Sequence, residues 1–202
     1  MFTGLIREIA QAIEFNGNIL TIKARHKPKI GDSICVNGAC LTVVSTSKDI
    51  FKVELSFESR AILALENLKG NVHIEPSLRL GDGLEGHLVQ GHIDGIGKIT
   101  KIEQRENSVD FYITVPQNIH IFMVQKGSVA VDGISLTINE VGEDFIRLTI
   151  ISHTMKETLF HTYKVGRLVN IESDMMARYL HHLTTKKKLD GWDKIDRIMA
   201  IY

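Results

Sequence analysis

Two stretches of this chain repeat each other at a distance of 95 residues. Residues 33–44 read SICVNGACLTVV and residues 128–139 read SVAVDGISLTIN, and five of the twelve paired positions are identical. Three further pairs keep the same order at offsets of 87, 96 and 97 residues: GLIREIA with GHIDGIG, LSFE with ISHT, and NVHIE with LVNIE. Such offsets drift where connections can change length. The chain therefore uses one fold unit twice.

Each copy consists of short runs rich in β-branched and aromatic residues, separated by Gly, Asn and Asp. The runs are LTIKA, SICVN, CLTVV, KVELSF and NVHIE, then GKITKI, DFYITV, SVAVD, SLTIN, IRLTII and LVNIE. Their even spacing is typical of small antiparallel barrels or sandwiches. We predict an all-β protein of two similar six-stranded antiparallel Greek-key barrels, followed by a C-terminal α-helical segment. Side chains fill barrels of this size, so ligands should bind at the rim or between barrels.

The expected domains are residues 1–84, 85–174 and 175–202, with a linker near EPSLRLGDGLEG. In the last segment Met176, Leu180 and Leu183 follow helical spacing, and a second apolar series follows Gly191 at a/d steps: Trp192, Ile195, Met199 and Tyr202. The apolar stripe could pack on the chain's own barrels or against a partner helix.

Charge and hydropathy exclude several classes of function. Lys and Arg total 24 against 24 Asp and Glu, so no basic field favours nucleic acid or a membrane surface. No run of about 18 apolar residues occurs, and Arg7 and Glu8 interrupt any signal-peptide core, so we expect a cytoplasmic protein. Cys35 and Cys40 flank Asn37-Gly38, where a hairpin turn would place their sulfurs opposite each other. A disulfide is geometrically allowed, but a reducing compartment favours free thiols.

Differences between the copies mark candidate functional positions. Cys40 is replaced by Ser135, and both side chains can hydrogen-bond or attack a substrate, although neither has an activating His or Asp at a motif spacing. Thr42 and Thr137 are equal in both copies and could be buried strand residues or ligand contacts. His92 replaces Leu5, and Lys126 stands in the place of Gly31 as either a solvated charge or a site residue. His87 and His92 lie five residues apart, on opposite faces of a straight strand, so no metal site is expected.

Five segments together resemble the riboflavin synthase alpha-chain family: MFTGLI, NGACLTV, GHLVQGHIDG, KGSVAVDGISLT and VNIESDMMARYL. The resemblance implies a cytoplasmic homotrimer joined through its C-terminal helices, with lumazine synthase as a candidate further partner. It also implies that two molecules of 6,7-dimethyl-8-ribityllumazine exchange a four-carbon unit to give riboflavin and 5-amino-6-ribitylaminouracil, with no cofactor and no metal. The site would join the first barrel of one subunit to the second barrel of its neighbour.

Site residues carried over from the family fall into two pockets. The first pocket would use Gly4, Leu5, Ile6, Ser33, Cys40, Leu41 and Thr42, with a wall of Glu58, Ser59, Arg60, Ala61, Ile62 and Leu63. The second would use Gly91, His92, Ile93, Lys126, Ser135, Leu136, Thr137, Ile151, Ser152, His153, Thr154, Met155 and Lys156.

The resemblance also implies roles for these residues. Ser135, Thr137 and His92 would help remove a proton from the C7 methyl of one lumazine, supported by Asp174 and Lys126. Cys40 would touch the ring of the other lumazine.

The first pocket's wall departs from the family pattern, because ESRAILALENLKG stands where a Glu-Thr-Leu signature is usual. We therefore expect the two pockets to differ there. A non-catalytic lumazine or flavin carrier with the same barrels is the alternative function, and the polar groups retained in both copies favour the enzyme.

Overall fold

A computed structural model describes residues 1–190 of the chain, with side chains to residue 185. Its first half is a closed antiparallel barrel with strand order β1-β2-β5-β4-β3-β6. The strands are β1 (Glu8–Asn16), β2 (Ile19–Lys23), β3 (Ser33–Val36), β4 (Ala39–Ser47), β5 (Ile50–Glu54) and β6 (Gly70–Pro76). Alternate side chains point inward and fill the barrel with aliphatic residues and Phe51.

The second half repeats this ring of strands. Its barrel closes in the order β10-β11-β8-β7-β12-β9. Read around the closed ring from β7 in the opposite direction, this is β7-β8-β11-β10-β9-β12, the order of the first barrel with six added to each strand number. The strands are β7 (Gly95–Gln104), β8 (Ser108–Thr114), β9 (Ser128–Val131), β10 (Ile134–Val141), β11 (Phe145–Ile151) and β12 (Leu168–Ser173). The predicted fold of two six-stranded barrels is confirmed.

One strand is absent from the predicted runs. β1 reads EIAQAIEFN, and its inward residues are the small Ala10 and Ala12, whereas Ile9 and Ile13 face outward. The most hydrophobic side chains of this strand are therefore the exposed ones, so a search for buried hydrophobic alternation does not detect the strand.

Short helices interrupt both barrels at equivalent places. α1 (Phe57–Ile62) follows β5 and α3 (Ser152–Glu157) follows β11, and each is continued by a 3-10 turn, Leu65–Asn67 or Leu159–Thr162. Ser56 caps α1, because its side chain accepts a hydrogen bond from the Ser59 N–H at 3.0 Å. The two pocket walls therefore have the same secondary structure, because each half keeps a helix of six residues, and the expected difference between them is limited to their side chains. A single further turn, α2 (Gln117–His120), lies between β8 and β9.

The C-terminal helix α4 (Met175–Asp190) begins directly after β12. Its apolar residues Met176, Tyr179, Leu180 and Leu183 are all more than half exposed, so this stripe does not pack on the chain's own barrels. The second predicted apolar series, from Gly191 to Tyr202, lies outside the described residues. Within the described part, no helix combines the length and hydropathy needed to cross a membrane.

Candidate active site

The segments that precede the two barrels are exchanged between them. The first arm (residues 1–7) precedes β1, and its Gly4 carbonyl accepts a hydrogen bond of 2.8 Å from the Ser135 N–H of the second barrel. The second arm (residues 86–94) precedes β7, and its Gly91 carbonyl accepts an equal bond of 2.8 Å from the Cys40 N–H of the first barrel. Phe2 and Val89 link the arms to each other through paired backbone bonds. Each arm therefore lies against the hairpin of the opposite barrel.

This exchange corrects the predicted division of the pockets. The prediction groups Gly4, Leu5 and Ile6 with Cys40, but this segment lies against Ser135, and the Ile6 side chain packs on the core of the second barrel. It groups Gly91, His92 and Ile93 with Ser135, but Ile93 is buried in the core of the first barrel. A tandem repeat whose segments are exchanged has the same local pattern as one whose segments are not, so the sequence could not distinguish the two.

A cavity of about 210 Å³ lies beside Cys40. The second arm supplies Gly91, His92 and Ile93 to its wall, and the helix α1 closes the other side. The remaining lining residues are Ala39, Glu58, Ser59, Ile62 and Leu63. Arg60 and Ala61, in the same predicted wall, lie on α1 without lining this cavity. The structure thus brings Cys40 together with four residues of the predicted helical wall, and it adds the second arm with His92, which the prediction places beside Ser135.

Beside Ser135 the structure places a different histidine. His87 Nδ1 lies 2.7 Å from Ser135 Oγ, although the two residues are 48 positions apart. Burial lowers the pKa of His87, and the nearby Asp174 carboxylate acts in the opposite direction. The ring is therefore neutral near pH 7, and its Nε2 atom has no hydrogen-bond partner within the described part of the chain. In the sequence His87 stands out only as a possible metal ligand, and no motif spacing could have paired it with Ser135.

Asp174 caps the N-terminus of α4. Its Oδ1 accepts a hydrogen bond of 2.9 Å from the Met176 N–H. A carboxylate at a helix N-terminus satisfies a free backbone donor and interacts favourably with the helix dipole. Asp174 is thus close enough to influence His87 electrostatically while its own hydrogen bond holds the helix.

The outer faces of the two hairpins carry the predicted polar residues. Ser33 pairs with Thr42 across β3 and β4, and Ser128 pairs with Thr137 across β9 and β10. Both threonines are exposed, so the buried-strand interpretation is wrong for them. Leu41 and Leu136 alternate with these residues, and their side chains pack on the barrel interiors, Leu41 buried and Leu136 half-buried.

Lys126 adopts a backbone conformation that favours glycine. Its φ is +68°, and Gly31 holds the equivalent place in the first copy with φ +91°. The Lys126 N–H donates to the Ile138 carbonyl at 2.7 Å, next to Thr137. A non-glycine residue in this region costs free energy and marks a position where function can require the side chain.

The predicted helical rim of the second pocket lies at the end of β11. Ile151, Ser152, His153 and Lys156 are exposed, and Thr154 and Met155 are half-buried. The Met155 side chain packs against the core of the second barrel. α3 follows β11 as α1 follows β5, so the repeat assigns it the position that α1 holds in the first half.

The two cysteines are free thiols and stand directly opposite each other on β3 and β4. Burial raises the pKa of Cys35 well above its usual value, so this thiol stays protonated. Cys40 is partly exposed at the cavity. Among the described residues no three His, Cys, Asp or Glu side chains are placed to hold a metal ion.

Fold and site define a class of protein built from two lumazine-binding domains. The family model described as "Lumazine binding domain" matches residues 3–76 and 90–174, so that each match begins within an arm. Riboflavin synthase of Actinobacillus pleuropneumoniae is 35% identical over 199 residues, covering 94% of this chain and 93% of the relative. Riboflavin synthase of Bacillus subtilis is 37% identical over 195 residues, covering 92% and 91%. The chain belongs to the riboflavin synthase family, whose members are enzymes of riboflavin biosynthesis.

Solved structures agree with the fold. The crystal structure of LumP complexed with riboflavin matches with a TM-score of 0.77 and 22% identity, covering 86% of this chain and 99% of LumP. LumP complexed with 6,7-dimethyl-8-(1'-D-ribityl) lumazine matches with a TM-score of 0.74 at 21% identity. At this identity the likeness establishes the duplicated barrel architecture.

Proposed function

We propose that this chain converts two molecules of 6,7-dimethyl-8-ribityllumazine into one riboflavin and one 5-amino-6-ribitylaminouracil. The observation that carries the proposal is the pair of equivalent hairpins, each hydrogen-bonded to an exchanged arm, one of which borders the cavity beside Cys40. Two identical substrates are suited to two related pockets. Holding both in place would make the transfer effectively intramolecular, which can supply up to about 7–11 kcal/mol.

Ser135 and His87 are the groups that would move the first proton. Ser135 lies half-buried on the hairpin, and the neutral His87 ring can accept a proton from its Oγ across 2.7 Å. The pair would thereby remove a proton from the C7 methyl of the lumazine bound there, with Thr137 and Lys126 contacting the same substrate. The second lumazine would occupy the cavity lined by Cys40 and His92. One lumazine then gives four carbons to the other, and no atom is lost or gained overall.

The exposed stripe of α4 supports the homotrimer as part of the proposal. Met176, Leu180 and Leu183 lie on one face, and all three are more than half exposed. Apolar residues at this spacing on a terminal helix are typical of helix–helix association. We propose that residues 175–202 assemble the trimer, and that the Cys40 pocket of one subunit faces the Ser135 pocket of its neighbour. The barrel domains would then be residues 1–84 and 85–174.

The assembly has a direct test. Leu180→Lys combined with Leu183→Lys should shift the sedimentation coefficient from a trimer to a monomer and abolish turnover. Glu143→Lys, an exposed charge change in the β10–β11 turn at the far end of β10 from Ser135, is the control and should leave the trimer intact. A variant that remains trimeric with both lysines would contradict the assignment of α4.

We also propose a cytoplasmic location, and lumazine synthase as the partner that supplies the substrate. Both follow from the family resemblance.

The reaction itself is tested with purified protein and 6,7-dimethyl-8-ribityllumazine alone. Riboflavin absorbance should appear with one riboflavin formed for every two lumazines consumed. Binding of the lumazine with no turnover, in a preparation shown to be folded and trimeric, would instead identify a carrier and overturn the proposal.

A further inference from the structure

Two buried glutamates hold the arms from equivalent places in the repeat. Glu75 is the last buried residue of β6, and Glu172 occupies the matching position on β12. Their exposed fractions are only 3% and 1%. Burying a carboxylate is costly unless hydrogen bonds replace its water, so both positions require specific donors.

The arms supply these donors, four from backbone N–H groups and one from the Thr3 hydroxyl. Glu75 Oε1 accepts from the Thr3 N–H and hydroxyl at 2.8 Å each, and Oε2 accepts from the Gly4 N–H at 3.0 Å. Glu172 Oε1 accepts from the Gln90 N–H at 2.7 Å, and Oε2 accepts from the Gly91 N–H at 2.8 Å. Each carboxylate therefore uses both of its oxygens on two successive residues of one arm.

The glycine that each glutamate binds is itself hydrogen-bonded to a candidate site residue of the opposite barrel. The carbonyl of the clamped Gly4 accepts from the Ser135 N–H, and the carbonyl of the clamped Gly91 accepts from the Cys40 N–H. No side chain fits between them: a Cβ on Gly4 would lie 2.6 Å from Ser135 Cβ, and a Cβ on Gly91 would lie 2.6 Å from Cys40 Cβ. The arms thus sit at the closest approach that a backbone allows.

We propose that Glu75 and Glu172 are positioning residues that act across the barrels. Glu172 would seat the second arm, with His92, against Cys40, and Glu75 would seat the first arm against Ser135. The inference deepens the proposed function, because it names what sets the geometry of each lumazine pocket. Burial also raises the pKa of Glu172 to about 7, with backbone donors acting in the opposite direction.

Arg178 gives the second arm an additional fixed point. Its Nη1 donates to Asp94 Oδ1 at 2.8 Å and its Nη2 donates to Gln90 Oε1 at 2.6 Å. The residue lies on α4, so it ties the same arm from outside the barrel. A variant at Arg178 can therefore loosen this arm without changing a buried carboxylate.

The test measures the reactivity of one thiol, which does not depend on turnover. In a Cys35→Ala background Cys40 is the sole cysteine, and its alkylation by iodoacetamide reports how closely the second arm covers it. Glu172→Gln keeps the shape of the side chain but presents an amide donor to one backbone N–H, which should release the arm. We expect the alkylation rate to rise at least about fivefold in Glu172→Gln, and to stay within about twofold in Glu75→Gln.

Activity supplies the second readout, and both variants should lose kcat because each pocket is needed. Arg178→Met replaces Glu172→Gln if the latter fails to fold, and it should also accelerate alkylation of Cys40. Equal acceleration in Glu75→Gln and the second-arm variants would mean general loosening and would overturn the inference, as would an unchanged rate in a folded Glu172→Gln. Selective acceleration in a protein that makes no riboflavin would uphold the positioning role while contradicting the proposed reaction.

Discussion

Gly38 and Gly133 face each other where the two barrels meet, and neither could carry a side chain. A Cβ on Gly38 would lie 2.8 Å from the Gly133 nitrogen, and a Cβ on Gly133 would lie 2.8 Å from the Gly38 nitrogen. Both have positive φ, at +89° and +82°. They are the second residues of the hairpin turns Asn37-Gly38 and Asp132-Gly133, so each turn serves its own barrel and the joint between barrels.

Gly133→Ala should therefore destabilise the protein more than conformational strain alone predicts. Gly17→Ala is the matched control, because Gly17 has φ +63° but a Cβ added there would have no neighbouring atom within 4 Å among the described residues. Strain common to both should cost about 1–2 kcal/mol, and the backbone contact at Gly133 should add about 1–3 kcal/mol. Urea unfolding of the two variants measures the difference. Equal free energies of unfolding would contradict a close joint between the hairpins.

Lys126 should be a position where stability and activity oppose each other. Lys126→Gly restores the residue type of the first copy and relieves the left-handed strain, so the free energy of unfolding should stay equal or rise by up to about 1 kcal/mol. The turnover rate should fall at least about tenfold, because the proposed contact of the ammonium group with the lumazine beside Ser135 is lost. Lys126→Asn tolerates the same backbone and should lose as much activity. Full turnover in either variant would make Lys126 a solvated charge only.

The repeat in the sequence was sufficient to predict the two barrels, because hairpin turns and alternating strands depend on local patterns. The site was only partly predictable. Comparison of the copies marks Cys40, Ser135 and Thr137 as candidates, because they differ or persist between copies at outward strand positions. The Ser135–His87 pair was missed, since it depends on where the second arm runs in space. The contacts of Glu75 and Glu172 with the arms escape a sequence search for the same reason, because four of the five donors are backbone N–H groups, which leave no signature in side-chain type.

Asp132 should make stability fall as pH rises through the mildly acid range. Burial raises its pKa from 3.8 to about 6, against donors from Tyr163 and Asn170 and the charge of Arg167. Between pH 4 and 6 the unfolded chain therefore loses this proton while the folded protein keeps it. The free energy of unfolding falls by about 3 kcal/mol over this range. Asp132→Asn, which copies Asn37 of the first barrel, should be more stable at pH 7 by about 1–3 kcal/mol.

The difference in the free energy of unfolding between the unmodified protein and Asp132→Asn isolates the effect of this carboxyl. His73 acts in the opposite direction, because burial lowers its pKa to about 3 and stability then increases up to pH 6.5. Both proteins contain His73, so its effect cancels when their unfolding curves are subtracted. Guanidinium unfolding at several pH values from 4 to 8 should give a gap that grows with pH and levels above 6. A gap independent of pH would show that Asp132 does not titrate in this range.

His87→Gln should remove the acid limb of the pH profile along with most of the rate. A glutamine side chain can still hydrogen-bond Ser135 Oγ, but it cannot hold a proton, so kcat should fall by about 10²–10⁴ while lumazine binding is retained. In the unmodified protein the active form has a neutral His87. Since burial lowers the pKa of this ring, kcat should stay high as the pH falls to the usual histidine value of 6.5 and decline only below it. His92→Gln is the matched control, because His92 lines the Cys40 cavity; it should weaken binding and keep the acid limb. An acid limb that persists in His87→Gln and disappears in His92→Gln would transfer the proton-accepting role to His92.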